Sequence, residues 1–281
     1  METAQVNGAQ LQYGVKGAGE PVLLIGTGPI EDSFLPLLSE QALAGSHRLI
    51  HYRQRRPTTG TDEIAPVSFE EHAKDAVDLL NHLGIRRAHL AGHSTGAAIA
   101  LQLAVDRPDR VHTLTLLEPP LLGVPSAGAF FDKAAPALAA YAQGDGPGAM
   151  ERFLSVVSSL DWKICQAEME RRIPGSVEQA MKNADNFFGS YLPSLQAWHF
   201  GAEQATQITQ PVLSVLGAES DRLFVESHDQ LRSWFPQIET HTVSGAGHLL
   251  HIQQPGLVAR GVGNFLARHA LTEAEAATRL S

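Results

Sequence analysis

A single cysteine, Cys165, stands among 281 residues, so no disulfide can form within the chain and nothing points to an oxidising compartment. A small apolar filler is its expected role. Basic residues are also scarce: 21 Lys and Arg face 30 Asp and Glu, for a formal charge of −9. That balance argues against nucleic acid and against an anionic membrane surface, since either would favour a basic face. The 13 histidines are scattered and make no basic block. No apolar run reaches the roughly 18 residues of a membrane span. The opening Met1-Glu2-Thr3-Ala4 lacks the basic and apolar regions of a signal peptide. The expectation is a soluble cytoplasmic protein with a small molecule as its partner.

What the chain does have is alternation. Short apolar runs at 11–15, 21–25, 47–52, 88–91, 111–117, 211–216 and 238–243 read as strands, several of them continuous Val/Leu/Ile stretches suited to burial on both faces. Helical patterns lie between them. Residues 68–83 open on Ser68-Phe69-Glu70-Glu71, a capping box, and stop at Gly84. Residues 95–105 are small and apolar, as in a buried helix, and 256–269 form the last apolar helix. This is the pattern of an α/β protein with a mostly parallel sheet flanked by helices.

One region breaks the pattern. Between 120 and 205 no strand is legible, while 127–142, 150–160, 164–172, 177–188 and 195–204 read as helices. A helical insertion between core strands predicts a cap (120–205) on a core made of 1–119 and 206–281. Such a cap would sit over the carboxyl ends of the strands, where α/β sheets bind ligands. Trp162, Phe187, Phe188 and Trp198 are candidates to line a pocket beneath it. The exposed cap is also a candidate homodimer surface.

The chemistry centres on Gly92-His93-Ser94-Thr95-Gly96. Alone, Gly-x-Ser-x-Gly is a weak signal. Here it joins an apolar run to a small-residue helix, and in a strand–turn–helix it has a mechanism: the sharp turn exposes the serine hydroxyl and requires glycines around it. The following helix start offers the Thr95 N–H to a developing oxyanion. A serine hydroxyl needs a base, and Gly245-Ala246-Gly247-His248 presents one between the last strand and the last helix. His251 is only three residues further on, but no thiol or close carboxylate completes a metal site. His93, next to the serine, is expected mainly to pack, and is kept as a candidate substrate neighbour.

These elements, in this order, resemble the α/β-hydrolase superfamily over residues 5–269. The resemblance implies acyl transfer through an acyl-serine, with Ser94 as nucleophile, His248 as base and then acid, and neither metal nor organic cofactor. It further implies an oxyanion loop after the third strand. Where many members carry His-Gly, this chain has Gly26-Thr27-Gly28-Pro29, so Gly28 is the candidate second donor, with Gly26 and Thr27 beside the substrate. The family's usual acid lies in Gly-x-x-Asp after a late strand. Here the stretch is Gly217-Ala218-Glu219-Ser220-Asp221, with serine at the expected place. Three carboxylates remain: Glu118, which ends the 111–117 strand, Asp221 and Glu219. Position favours Glu118, with Asp221 as the alternative.

The expected activity is hydrolysis of an ester or lactone of a small, largely apolar substrate, as by a carboxylesterase or lactonase. Amides and thioesters use the same machinery. The alternatives on this fold are a carbon–carbon bond hydrolase, a perhydrolase, a cofactor-free oxygenase, or a binding protein without turnover. Arg53 and Arg55, in His51-Tyr52-Arg53-Gln54-Arg55-Arg56, are read as structural more readily than as carboxylate binders.

Overall fold

The computed structural model describes residues 1–56, 65–272 and 275. Eight strands form one sheet in the order β1-β2-β4-β3-β5-β6-β7-β8. Their ranges are β1 Glu2–Val6, β2 Ala9–Lys16, β3 Glu20–Ile25, β4 His47–Arg53, β5 Ala88–His93, β6 Val111–Leu117, β7 Val212–Gly217 and β8 Glu239–Val243. The β1/β2 and β2/β4 pairs are antiparallel, and every other pair is parallel.

The continuous apolar runs have a simple cause. Successive side chains of a strand point to opposite faces, and both faces of this sheet are covered. In β3, Leu23 and Ile25 enter one core cluster while Val22 and Leu24 enter the other. The first cluster packs beneath the helices Phe69–His82 and Thr95–Asp106, and the second beneath Pro255–Arg268. Ser68 caps the first of these helices by accepting from the Glu71 N–H at 3.2 Å.

Several short elements lie outside the expectations, as do two longer ones. β1 is an eighth strand, at the sheet's edge, where only Ala4 and Val6 turn inward and Glu2, Thr3 and Gln5 stay exposed. The helix Arg222–Trp234 follows β7, with Asp221 as its N-cap.

Between β6 and β7 the described chain is helical, through Ala127–Ala142, Gly146–Ser158, Trp162–Arg172, Ser176–Lys182, Ala184–Asn186, Leu192–Ala197 and Ala202–Ala205. The single helices expected over 177–188 and 195–204 are both broken. Residues Phe187–Tyr191 form a π-helical turn, and Trp198 adopts extended backbone (ψ 130°) that ends its helix. Pro193 sits in the first turn of Leu192–Ala197, directly after the π-helical turn. Among the described residues no helix is long and apolar enough to cross a membrane.

Candidate active site

The site is built at the carboxyl ends of the central strands. Ser94 stands between β5 and the helix Thr95–Asp106 with φ 54° and ψ −123°, a backbone region that favours glycine. Its N–H donates to the Leu117 carbonyl of β6 at 2.9 Å, which pins the turn to the neighbouring strand. The two motif glycines are required by space. A Cβ on Gly92 would lie 2.3 Å from the Gly96 carbonyl oxygen, and one on Gly96 would lie 2.1 Å from that of Ile25. In the stretch 91–100 Ser94 alone is not fully buried, so the turn presents its hydroxyl. The Thr95 N–H, at the first helical position, has no intrahelical partner to bond.

His248 follows β8 and shares a cavity with Ser94. Its Nδ1 lies 2.7 Å from Glu118 Oε2, with both side chains buried. A carboxylate can only accept, so Nδ1 carries the proton and the Nε2 lone pair is left available. Glu118 directly follows β6 and has φ 49°, the second strained residue of the site. Its other oxygen, Oε1, accepts from the Gly217 N–H at 2.6 Å and from the Ser220 hydroxyl at 2.5 Å. A buried charge is costly unless paired and hydrogen-bonded. Here three donors, two from the end of β7 and one from His248, surround it.

The other acids are engaged differently. Asp221 accepts from the Leu223 N–H as a helix cap and pairs with Lys133 Nζ at 2.5 Å, so the structure does not bring it to His248. Ser220 stands where an acid is expected and instead donates to an acid on the neighbouring strand, a contact that depends on strand order and leaves no mark in the residue order.

Rings frame the imidazole. Phe224 stacks on His248 with centroids 3.8 Å apart and planes 12° apart, and His93 lies 4.6 Å away on a tilted plane. His93 Nε2 donates to the His248 carbonyl at 2.8 Å, fixing the loop that carries His248. His251 packs against His93 and Phe34 (4.1 and 5.0 Å), with neither ring nitrogen bonded. Burial holds His93 well below the ordinary imidazole range and pushes His251 down to about 3. Among the described residues no three His, Cys, Asp or Glu side chains are grouped to hold a metal ion.

The cavity around Ser94 is walled mainly by Phe130, Phe131, Phe153, Leu154, Val157 and Phe187 from the helical segment, with Thr27, Thr95 and His93 on the core side. No Lys, Arg, Asp or Glu is among its lining residues. Of the expected aromatic lining, Phe187 is there. Phe188 stacks instead on Tyr141 at 4.9 Å, and Trp162 lies apart from this wall. Trp198 donates its Nε1–H to Gln102 and faces an outer groove. Composition marks an aromatic but does not give its direction.

In the loop after β3, Thr27 reaches the cavity and its hydroxyl lies 3.3 Å from that of Thr95. Gly26 and Gly28 line a smaller space behind it, and a Cβ on Gly28 would strike the Tyr191 ring at 2.7 Å. Gln54 donates to the Gly26 carbonyl at 2.8 Å and holds this loop from the rear. Arg53 is paired with Asp32 and Arg55 with Asp75, so both guanidinium groups are engaged within the core. Cys165 is buried beside Met169, and burial pushes its thiol up, as suits a packing role.

Residues 30–255 match the model of a family described as alpha/beta hydrolase fold. A provisionally named carbamate hydrolase of Variovorax paradoxus is 30% identical over 92% of this chain and 96% of its own length. A 2-hydroxymuconate semialdehyde hydrolase of Pseudomonas putida is 26% identical over 90% of the chain and 89% of its own. Two shorter alignments, to proteins of Azorhizobium caulinodans and Bacillus subtilis, span only 44% and 45% of those relatives. Among solved structures, the enol-lactonase of Burkholderia xenovorans superposes with a TM-score of 0.75 at 18% identity, covering 95% of this chain and all of that one (100%).

Proposed function

Because this chain belongs to the α/β-hydrolase family, we propose that it is a serine hydrolase cleaving an ester or lactone of a small, neutral, largely apolar substrate. The observation that carries this reading is the buried contact of His248 with Glu118 at 2.7 Å, on the wall of the cavity that also exposes Ser94.

In this mechanism Ser94 Oγ attacks the substrate carbonyl as His248 Nε2 takes its proton. Glu118 stabilises the imidazolium that forms, through the Nδ1–H. The oxyanion is received by the Thr95 N–H and by the N–H of Gly28 in the loop after β3. His248 then returns the proton to the leaving alcohol. A water, deprotonated by the same imidazole, releases the acid from the acyl-serine.

The serine at the elbow supports acyl chemistry over epoxide or halide displacement, in which a carboxylate forms the covalent intermediate. The relatives' names include carbamate and semialdehyde hydrolases. The uncharged wall of this cavity favours a neutral substrate, since an anion there would be desolvated without a partner.

The test is covalent labelling. A small organophosphonate should modify the wild-type chain at Ser94 and leave Ser94→Ala unlabelled, as read by intact mass. Equal labelling of both, or of neither, overturns the reading. Ser220→Ala gives a second check. Losing one hydrogen bond to a buried carboxylate is worth about 1.5–3 kcal/mol, so kcat should fall roughly ten- to a hundredfold. Ser220→Thr, which keeps the hydroxyl, should recover most of it.

A further inference from the structure

The inner cavity beside Ser94 is small, about 40 Å³, room for only a few water molecules. A substrate with a sizeable apolar part therefore cannot be seated unless a wall gives way. The wall is thin at one place. Leu122 and Leu195 line the inner cavity on one side and, on the other, an outer groove of about 470 Å³ formed with Leu121, Trp198, His199 and Phe200.

The two sides of this wall are held unequally. Leu195 is buried on the helix Leu192–Ala197, which is tied down twice: the Ser194 hydroxyl donates to the Val67 carbonyl at 2.8 Å, and Trp198 Nε1 donates to Gln102 at 2.9 Å. Trp198 also stacks on Phe200, with centroids 5.3 Å apart. Leu122 is half-buried in the turn after Pro119-Pro120, and the next residue, Gly123, is exposed with nothing within 4 Å of a Cβ placed on it. The last anchor before it is the Leu121 N–H, which donates to the Ser227 hydroxyl at 3.1 Å. Like the inner cavity, the groove has no Lys, Arg, Asp or Glu among its lining residues, in a chain of net charge −9.

We propose that substrate reaches Ser94 by displacing Leu122 from Leu195, and that the groove beyond binds the part of a neutral aryl or alkyl ester that the inner cavity cannot hold. The inference rests on the serine-hydrolase reading above. It makes Leu122 a specificity-determining residue and the Trp198–Phe200 stack a platform for a second apolar group. An uncharged path suits an ester apolar at both ends, because a charged end would be stripped of water along it.

The test compares Leu122→Trp and Leu122→Ala on two esters, methyl acetate and 2-naphthyl butyrate. Leu122→Trp should lower kcat/KM for the naphthyl ester about tenfold or more and change the acetate by less than about threefold, in line with the cost of misfit in an apolar pocket. Leu122→Ala should shift the ratio the other way. Equal effects on both esters, or none on either, overturn the proposal. Small-phosphonate labelling of each variant separates the two levels. If Ser94 is labelled but the ester ratio does not move, the access route is wrong and the serine-hydrolase reading stands. If the wild type is not labelled at all, the reading beneath it fails. Should Leu122→Trp not fold, Leu122→Ala and Leu195→Trp carry the same comparison.

Discussion

Glu118→Gln is expected to lower kcat about 10,000-fold on a neutral ester, while Asp221→Asn stays within about threefold of wild type. The amide keeps the shape of the carboxylate but loses its charge, and it can offer Nδ1 a donor where an acceptor is needed. His248 would then turn to the wrong tautomer, and the developing imidazolium would be unpaired in a buried place. Asp221 is spent elsewhere, on the Leu223 N–H and Lys133, so its loss should be felt as a weakened helix start and not as lost chemistry. Steady-state kinetics on both variants decides the matter. Similar losses in the two, or a larger loss in Asp221→Asn, would remove Glu118 from the proposed triad.

The second large effect is loss of stability in mild acid. Burial pushes His72 and His251 down to about 3 and holds His93 well below the ordinary imidazole value. An unfolded chain takes up protons on these rings near pH 6.5, whereas the folded chain does not until far lower pH. Stability is therefore full above about pH 6.5 and declines as pH falls towards 3. His72 and His251 should each cost about 2 kcal/mol between pH 6.5 and 4.5, a large share of an ordinary folding free energy, and His93 acts in the same direction. Ordinary carboxylates begin to take up protons only towards the lower end of that span, so the decline between pH 6.5 and 5.5 is the part that reports the histidines. Urea unfolding at pH 7.0, 5.5 and 4.5 should show the decline, and the double variant His72→Phe/His251→Phe should flatten it. An unchanged slope in that variant would refute the assignment. His72 suits the substitution, since it stacks on Tyr191 with planes 13° apart and makes no hydrogen bond through either ring nitrogen.

Much of the architecture was readable from residue order because the parallel strands are buried on both faces, and stretches such as Val22-Leu23-Leu24-Ile25 have few other uses. β1 escaped because an edge strand with one inward face is mostly polar, and Glu2, Thr3 and Gln5 resemble a tail. The π-helical turn at Phe187–Tyr191 leaves no periodic mark that would separate it from an α-helix. The position of Ser94 followed from its setting between strand and helix. The neighbour of His248 is legible only as a ranking, Glu118 ahead of Asp221, because the two differ in their pairing across strands and not in type. One clue was present: Asp221 stands just ahead of a helical pattern, where a carboxylate commonly caps.

The strained backbones of Ser94 and Glu118 sit at the ends of adjacent strands, β5 and β6, and each holds a φ that glycine would adopt more cheaply. Selection for folding alone would push both positions towards glycine. Lineages released from activity should therefore lose these two side chains early and gain robustness by doing so. A descendant that keeps serine and glutamate at both positions declares, through its own backbone, that the site is still in use.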